Sequence, residues 1–390
     1  MLQGKQEKRR IQSRWKFLNE IVVLVLTCGV TSIAALPAGW TRTVGPRLSL
    51  SQPLTVRWRY AGLTLDLTPA ADDERIYLPL AAGTIVSLRA SDGQLYWKSE
   101  IGGEFSASPA ADDRAVYVAS EAITTPSDVH RTTGSLRALG REGGVTLWMR
   151  ALATPIRGAL TMSNEKIFAA ASDGNVYAFD KKTGNILWSV RRGSAFNCQP
   201  VLSGRRVYVG SEDGTLFSLD ESTGKFLWDY RTRGPVRGPV ALADGTVYFG
   251  SGDGYVYAVN EVDGRGQWRK RTGAGVQAVA RVGRGLLVAS LDNFAYLLSF
   301  NKGRKIWKRQ LPGRISSQPL AAEDSALFTP LSSEAGVVLA LRDGRQVNTL
   351  PTGEGINTAS PIIVGDAVLI TTEHGLLAFS HPANTKTSNH

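Results

Sequence analysis

From about residue 54 to residue 380, apolar and polar residues alternate in short runs such as VYVGS and LFSLD. Alternation with a period of two places the apolar side chains on one face of a strand, and the runs are rich in Val, Tyr and Phe. Asp-Gly and Thr-Gly pairs separate many of the runs, and such pairs favour the positive φ of tight hairpin turns. The pattern predicts antiparallel β-strands joined by short turns over most of the chain.

Seven tryptophans recur at intervals of 39, 51, 40, 40, 40 and 39 residues. They are Trp58, Trp97, Trp148, Trp188, Trp228, Trp268 and Trp307. The surrounding residues repeat with them, most clearly in 199–228 and 238–268. Each unit of about forty residues is predicted to contain four antiparallel strands, which is the content of a β-propeller blade. The tryptophans are predicted to be wedges between blades, since a platform for a flat ligand would need one indole on the axis, not seven at equivalent places.

The repeats predict an all-β fold, an eight-bladed β-propeller of four-stranded antiparallel blades. The eighth unit begins near Pro361 and stops at Ser380 without a fourth strand, whereas the segment LTVRW at 54–58 resembles an isolated fourth strand. If this N-terminal strand pairs with the last blade, the ring closes and loses its exposed strand edges. The predicted organisation is a linker at 39–53, the propeller at 54–380 and a polar tail at 381–390.

Residues 1–38 have the pattern of an export signal or a membrane anchor. Six basic and two acidic side chains lie within the first twenty residues, and an uncharged apolar run follows from Ile21 to Leu36. A basic flank before an apolar run is typical of exported proteins, with the basic end left in the cytoplasm. Three outcomes remain open: cleavage after Ala34, retention as an anchor, and lipidation at Cys28. Each predicts a periplasmic location, with membrane association in the last two.

The composition excludes several kinds of site. The chain has two cysteines and four histidines, too few for a disulfide scaffold, a haem-attachment motif or a Cys/His zinc site. The formal net charge is +11, and outside the N-terminal segment basic residues cluster at 265–271 and 302–309. For an exported protein, such clusters indicate anionic lipid, an acidic protein partner or a solvated face, and no nucleic-acid partner is expected.

The core pattern D-G-x-[LV]-[YF]-A-[LF]-[DN]-x-x-[TD]-G-x-x-x-W resembles the pyrroloquinoline-quinone-type (PQQ-like) propeller repeat over about residues 54–380. That family includes quinoprotein dehydrogenases, which hold the quinone and Ca²⁺ at the propeller axis. It also includes the BamB-type outer-membrane protein assembly factors, which are periplasmic scaffolds. The C-terminal run NTASPIIVGDAVLITTEHGLLAFS is similar to the closing blade of the BamB type.

The resemblance to the BamB type also implies a docking surface on the loops before first strands, to which an apolar-Arg-Gly triplet contributes. Two triplets match it, Ile156-Arg157-Gly158 and Val236-Arg237-Gly238. The stretch that corresponds to an accompanying acidic pair, RTGAGVQAV, contains no carboxylate. The eleven extra residues between Trp97 and Trp148 fall in a loop, EAITTPSDVHRTTG, that is a further candidate for recognition.

The expected function is therefore a non-catalytic periplasmic scaffold for protein–protein interactions, with a BamB-like role in outer-membrane β-barrel protein assembly. The expected partners are proteins of a membrane-associated assembly, such as the β-barrel assembly machinery, with the membrane contacted through the N-terminal segment. No catalytic, cofactor-binding or metal-binding residues are predicted. The alternative is a quinone- or ligand-binding propeller enzyme resembling the PQQ-dependent dehydrogenases. Against it, no two cysteines adjoin and no D-x-D-x-D-G calcium loop occurs.

Overall fold

The computed structural model describes residues 48–124, 131–192, 194–283, 285–331 and 333–382. All of them belong to one compact unit of the chain. Their regular structure is entirely β-strand, and no helix within these ranges is long and apolar enough to cross a membrane. The predicted export segment, with Ala34 and Cys28, lies outside the described residues.

The strands group into four-stranded units, which we number along the chain. The first strand is β1 (Thr55–Ala61). Unit 1 contains β2 (Ala70–Ala71), β3 (Arg75–Leu80), β4 (Thr84–Arg89) and β5 (Leu95–Glu100). Unit 2 contains β6 (Glu104–Ala111), β7 (Ala115–Thr124), β8 (Arg131–Gly140) and β9 (Thr146–Leu152). Unit 3 contains β10 (Ile156–Met162), β11 (Lys166–Ala171), β12 (Asn175–Asp180) and β13 (Ile186–Arg191). Unit 4 contains β14 (Val201–Ser203), β15 (Arg206–Gly210), β16 (Thr215–Asp220) and β17 (Phe226–Arg231).

The later units repeat the same order. Unit 5 contains β18 (Ala241–Ala243), β19 (Thr246–Gly250), β20 (Tyr255–Asn260) and β21 (Gly266–Arg271). Unit 6 contains β22 (Val276–Val282), β23 (Gly285–Ser290), β24 (Phe294–Leu298) and β25 (Lys305–Gln310). Unit 7 contains β26 (Leu320–Ala321), β27 (Ser325–Phe328), β28 (Ala335–Ala340) and β29 (Gln346–Pro351). Unit 8 contains β30 (Ile362–Val364), β31 (Ala367–Thr372), β32 (Gly375–Ser380) and, as its fourth strand, β1.

Within the described residues these strands form seven sheets. Six sheets are single four-stranded units, and the seventh joins units 2 and 3 into eight strands. The junction is one parallel bridge between Ala159 and Ser108 of the two first strands. Because each half of the joined sheet keeps the antiparallel order of the other units, the bridge marks a close approach of neighbouring units and leaves the repeat pattern unchanged.

Unit 8 is assembled from both ends of the described chain. β1 runs antiparallel to β32, from the pair Thr55–Ser380 to the pair Ala61–Gly375. Residues 48–53, which the sequence analysis assigns to a linker, also contribute to this region: Leu48 and Leu50 are buried in one core cluster with Leu350 and Phe379. The leucines pack here because the space between units 7 and 8 is apolar.

Each repeated tryptophan of a fourth strand contacts the following unit. Its ring covers the glycine in the turn between the third and fourth strands of that unit, so closely that a Cβ on the glycine would lie within 2.8 Å of a ring carbon. Its indole N–H donates a hydrogen bond to a carbonyl oxygen of the same hairpin. The acceptors, for the seven tryptophans in chain order, are Ala90, Arg141, Lys181, Glu221, Glu261, Phe300 and Leu341. The constant interval therefore repeats one joint between units.

The joint between units 7 and 8 differs. Forty residues beyond Trp307 lies Val347, but the strand register places Asn348 at the tryptophan position: Asn348 pairs with Val338 as Trp307 pairs with Leu297. The Asn348 amide donates hydrogen bonds to the carbonyl oxygens of Leu50 and Gln52. Unit 8 has no continuous hairpin at this point because β1 and β32 come from distant parts of the chain. At this joint the Asn348 side-chain amide binds the backbone of residues 50 and 52, whereas at the other joints a tryptophan indole binds a carbonyl of a hairpin.

Candidate protein-docking site

The two apolar-Arg-Gly triplets occupy equivalent places at the start of units 3 and 5. Ile156 and Val236 are fully buried, and they anchor the segment that leads into the first strand. Gly158 has a φ of +76°, and a Cβ on it would lie 2.3 Å from the Cys198 carbonyl oxygen of the next unit. On Gly238 a Cβ would lie 2.0 Å from the Gln277 carbonyl oxygen. Glycine is required at both places because the innermost segments of neighbouring units approach so closely.

Arg157 forms an ion pair with a carboxylate of the preceding unit. Its Nη1 and Nη2 atoms donate to Oε1 and Oε2 of Glu121, at 3.2 and 2.5 Å. The two side chains are about a third and a quarter exposed, respectively. This fork-to-fork geometry fixes the plane of the guanidinium.

Arg237 repeats this arrangement two units further along. Its Nε donates to Oε1 of Glu212 at 2.8 Å and its Nη2 to Oε2 at 2.7 Å. Asn197, the residue of unit 4 that corresponds to Arg157 and Arg237, donates to the same carboxylate at 3.1 Å. The Arg237 guanidinium holds the pKa of Glu212 below its usual range, and Glu212 in turn raises the pKa of Arg237. Half of the Arg237 side chain remains exposed.

A cavity of about 660 Å³ adjoins the first of these pairs. Its lining residues are Ala82, Gly103, Glu104, Glu121, Ala122, Thr132 and Arg157. The extra residues of unit 2 form one of its walls, since they lengthen β7 and β8 and pair Ala122 with Thr133. The predicted recognition loop is thus partly a hairpin extension, and its tip, residues 125–130, lies outside the described residues.

Sequence reasoning found both arginines and missed both glutamates. The family's acidic pair was sought in 271–279. The carboxylates that contact Arg157 and Arg237 are instead Glu121, within β7 of unit 2, and Glu212, two residues after β15 of unit 4. A signal was present: the runs VYVASE at 116–121 and VYVGSE at 207–212 are nearly identical and each ends in the pairing glutamate. They precede units 3 and 5, where one triplet begins β10 and the other lies just before β18.

No group of three or more His, Cys, Asp and Glu side chains that could hold a metal ion occurs among the described residues. Cys198 is a buried free thiol that donates to the Gly210 carbonyl oxygen at 3.0 Å. Burial raises the pKa of this thiol to about 12, so it is protonated at neutral pH and is a poor nucleophile. The arrangement at the triplets offers paired charges and hydrogen-bond donors, which suits binding of a protein surface.

Comparisons with solved structures give the fold. The crystal structure of BamB from Moraxella catarrhalis aligns with a TM-score of 0.70 at 16% identity, covering 84% of this chain and 97% of that one. A computationally designed protein, Ika8, aligns with a TM-score of 0.67 at 14% identity, covering 88% and 100%. The quinohemoprotein alcohol dehydrogenase ADHIIG from Pseudomonas putida HK5 aligns with a TM-score of 0.67 at 13% identity, covering 84% and 76%. Propellers of different function therefore share this architecture.

Comparison of the sequence with family models identifies the family as well as the fold. No curated protein matches the chain significantly. The family model described as outer membrane protein assembly factor BamB matches residues 38–125, 83–200, 193–288 and 270–388 in four overlapping segments. These matches extend over most of the chain and include every described strand. The chain carries PQQ-like repeats and belongs to the BamB family of outer membrane protein assembly factors.

Proposed function

We propose that the protein is a non-catalytic periplasmic scaffold, an eight-bladed propeller in which the eight units are the blades and β1 closes the ring. In this proposal residues 1–38 direct export or anchor the chain, and the propeller at 54–380 docks a protein of the outer-membrane β-barrel assembly machinery. The family match supports the role, because the matched model is that of an assembly factor. The alternative of a quinone-dependent enzyme has no clustered donor set among the described residues to support it.

The observation that carries the docking proposal is the duplicated Arg–Glu pair. Arg157 lies near the start of β10 and Arg237 lies in the segment just before β18, and each is held by a glutamate of the preceding unit. Glu212 accepts hydrogen bonds from Nε and Nη2 of Arg237. Among the described residues no group accepts from Nη1 of Arg237, which is therefore available to a partner. An oriented, half-exposed arginine is a typical anchor of protein interfaces. Two such anchors on a rigid scaffold would fix the orientation of a bound partner.

The test is affinity capture from solubilised membranes with three full-length variants. Arg157→Glu and Arg237→Glu reverse the charge of the anchors and are expected to reduce recovery of a defined set of membrane-assembly proteins by at least about tenfold. Arg205→Glu is the matched control, since Arg205 is an exposed arginine of unit 4 at the opposite end of β15 from Glu212. It is expected to leave recovery unchanged.

Two outcomes would contradict the proposal. If all three variants recover the same proteins in the same amounts, Arg157 and Arg237 do not anchor a partner. If the purified wild-type protein binds pyrroloquinoline quinone with Ca²⁺ and reduces a dye in the presence of an alcohol or sugar, the scaffold role itself is wrong.

A further inference from the structure

A basic groove of about 370 Å³ lies between the outer parts of units 5 and 6. Lys270 and Arg271 line it from β21, the fourth strand of unit 5. Lys305 and Lys308 line it from β25, the fourth strand of unit 6, and Tyr296 of β24 contributes an aromatic wall. Four cationic side chains thus converge on one concave surface, which we call the basic groove.

One repeat position contributes to the groove, and it varies between units: Arg150, Lys270 and Arg309 hold it in units 2, 5 and 6. The position two residues after the tryptophan faces the next unit, and in several units an apolar side chain fills it. Val190, Tyr230 and Leu350 hold this place and belong to core clusters. Tyr230, for example, packs against Phe249 and Tyr257, with ring centroids 6.0 and 5.6 Å away. In unit 5 the equivalent residue is Lys270, which is exposed and leaves the slot open.

The four cations have no carboxylate partner within 4 Å among the described residues, although many basic residues elsewhere on the molecule do. Lys308 instead places its ammonium 3.5 Å from the centre of the Phe294 ring and 5.2 Å from that of Tyr296. The adjacent carboxylate, Asp292, accepts hydrogen bonds from the Tyr296 hydroxyl and from the Gly273 N–H. Like charges held close together without counterions destabilise the free protein, and an anionic ligand relieves that repulsion.

The shape of the charged region indicates the kind of anion. The cations continue beyond the groove along both strands, with Arg269 on β21 and Arg309 on β25. Basic residues thus extend over about 7 Å of β21 and about 13 Å of β25. Both strands are also the last of their sheets, and one backbone edge of each is unpaired within the described chain. A linear array of cations beside a free strand edge fits an extended peptide with repeated carboxylates, which gains backbone hydrogen bonds as well as charge pairing.

We propose that the basic groove binds an extended acidic segment of a protein partner. It is a second docking surface, built from fourth strands, whereas the triplets with Arg157 and Arg237 lie at first strands. The inference extends the proposed scaffold role. It is tested with purified protein and a defined peptide, so its failure can be distinguished from a failure of the affinity capture described above.

The experiment measures fluorescence anisotropy of labelled decaglutamate with the full chain in mild detergent. We expect binding that weakens as the salt concentration rises from about 50 mM to about 500 mM. Lys270→Tyr restores the side chain that unit 4 carries at this position, and Lys308→Gln removes one charge at the groove. Each is expected to weaken binding by about threefold and the double variant by about tenfold or more. Lys225→Gln changes an exposed lysine directly before β17 of unit 4. It is the control and is expected to bind as the wild type does.

The thermal unfolding midpoint of each variant is measured alongside, and equal midpoints show that lost binding is not lost folding. The proposal is overturned if the folded double variant binds decaglutamate as tightly as the wild type. It is also overturned if decaglutamate does not bind while phosphatidylglycerol vesicles bind the wild type and not the double variant, because the groove would then recognise lipid phosphate.

Discussion

The indole N–H of Trp228 donates a hydrogen bond to the carbonyl oxygen of Glu261, 2.9 Å away and one unit further along the chain. The same ring covers Gly264, where a Cβ would lie 2.6 Å from a ring carbon. A single side chain thus combines apolar burial, a hydrogen bond and a steric requirement for glycine. The joint explains why tryptophan and glycine recur together in the sequence.

Removing this side chain is expected to open a cavity between units 4 and 5. Trp228→Ala should lower the free energy of unfolding by about 3–5 kcal/mol, as buried aromatic-to-alanine changes do. Urea denaturation followed by fluorescence or circular dichroism measures it. Trp228→Phe keeps much of the apolar contact and loses the hydrogen bond, so its loss should be clearly smaller. A loss below about 1 kcal/mol for the alanine variant would show that the joint does not hold the units together.

Asn348 is expected to secure the chain entry at unit 8. Asn348→Ala leaves the carbonyl oxygens of Leu50 and Gln52 without their amide partner, which should cost about 0.5–1.5 kcal/mol because both contacts are partly open to water. Because the loss is local, hydrogen exchange should accelerate most in residues 48–61. Gln346→Ala, a change at an exposed residue of the same strand, serves as the comparison. Uniform acceleration across all units would contradict a local role.

The Arg237–Glu212 pair predicts a dependence on pH. Glu212 has a lowered pKa in the folded protein because Arg237 stabilises its charged form. The contribution of the pair to stability is therefore complete above the ordinary glutamate pKa of 4.5 and is lost as the pH falls through the lower folded pKa. Carboxyl-carbon NMR titration of Glu212 should give a midpoint below 4.5, and Arg237→Gln should raise it. An identical midpoint in both proteins would exclude the pairing.

Cys198 is expected to resist thiol reagents in the folded state. The thiol is 1% exposed, and burial raises its pKa to about 12. In a Cys28→Ser background, a disulfide reagent at about pH 8 should label Cys198 only after denaturant is added. Rapid labelling without denaturant would indicate that the contact between units 3 and 4 opens readily.

Much of the fold could be predicted from sequence because its main joint repeats. The tryptophan, the turn glycine and the alternation of apolar and polar residues recur in most repeats. A pattern that is ambiguous in one repeat therefore becomes clear when the repeats are aligned with one another. The triplets with Arg157 and Arg237 were found in the same way, through resemblance to a family motif. Arg157 lies in β10 and Arg237 lies just before β18, and the binding role of both remains a prediction.

The Arg–Glu pairs, the basic groove and the role of Asn348 could not be predicted from sequence, because each depends on contacts with residues distant in the chain. Glu121 and Glu212 lie 36 and 25 residues from the arginines they bind, and no local spacing indicates such a contact. Lys270 belongs to a basic cluster in the sequence, but only the packing of Tyr230 at the equivalent position shows that a lysine there opens a groove. Asn348 was missed because a count of forty residues lands one position earlier, at Val347.

The pairing of β1 with β32 has a consequence for biogenesis. Residues 55 and 380 meet only after the whole intervening chain has been synthesised, and bringing together ends so far apart carries a large loop-closure entropy. A nascent polypeptide that has not yet reached residue 375 leaves β1 without its neighbour β32. Premature termination or slow translocation should therefore yield a chain whose β1 has unpaired backbone edges, which is a substrate for chaperones and proteases.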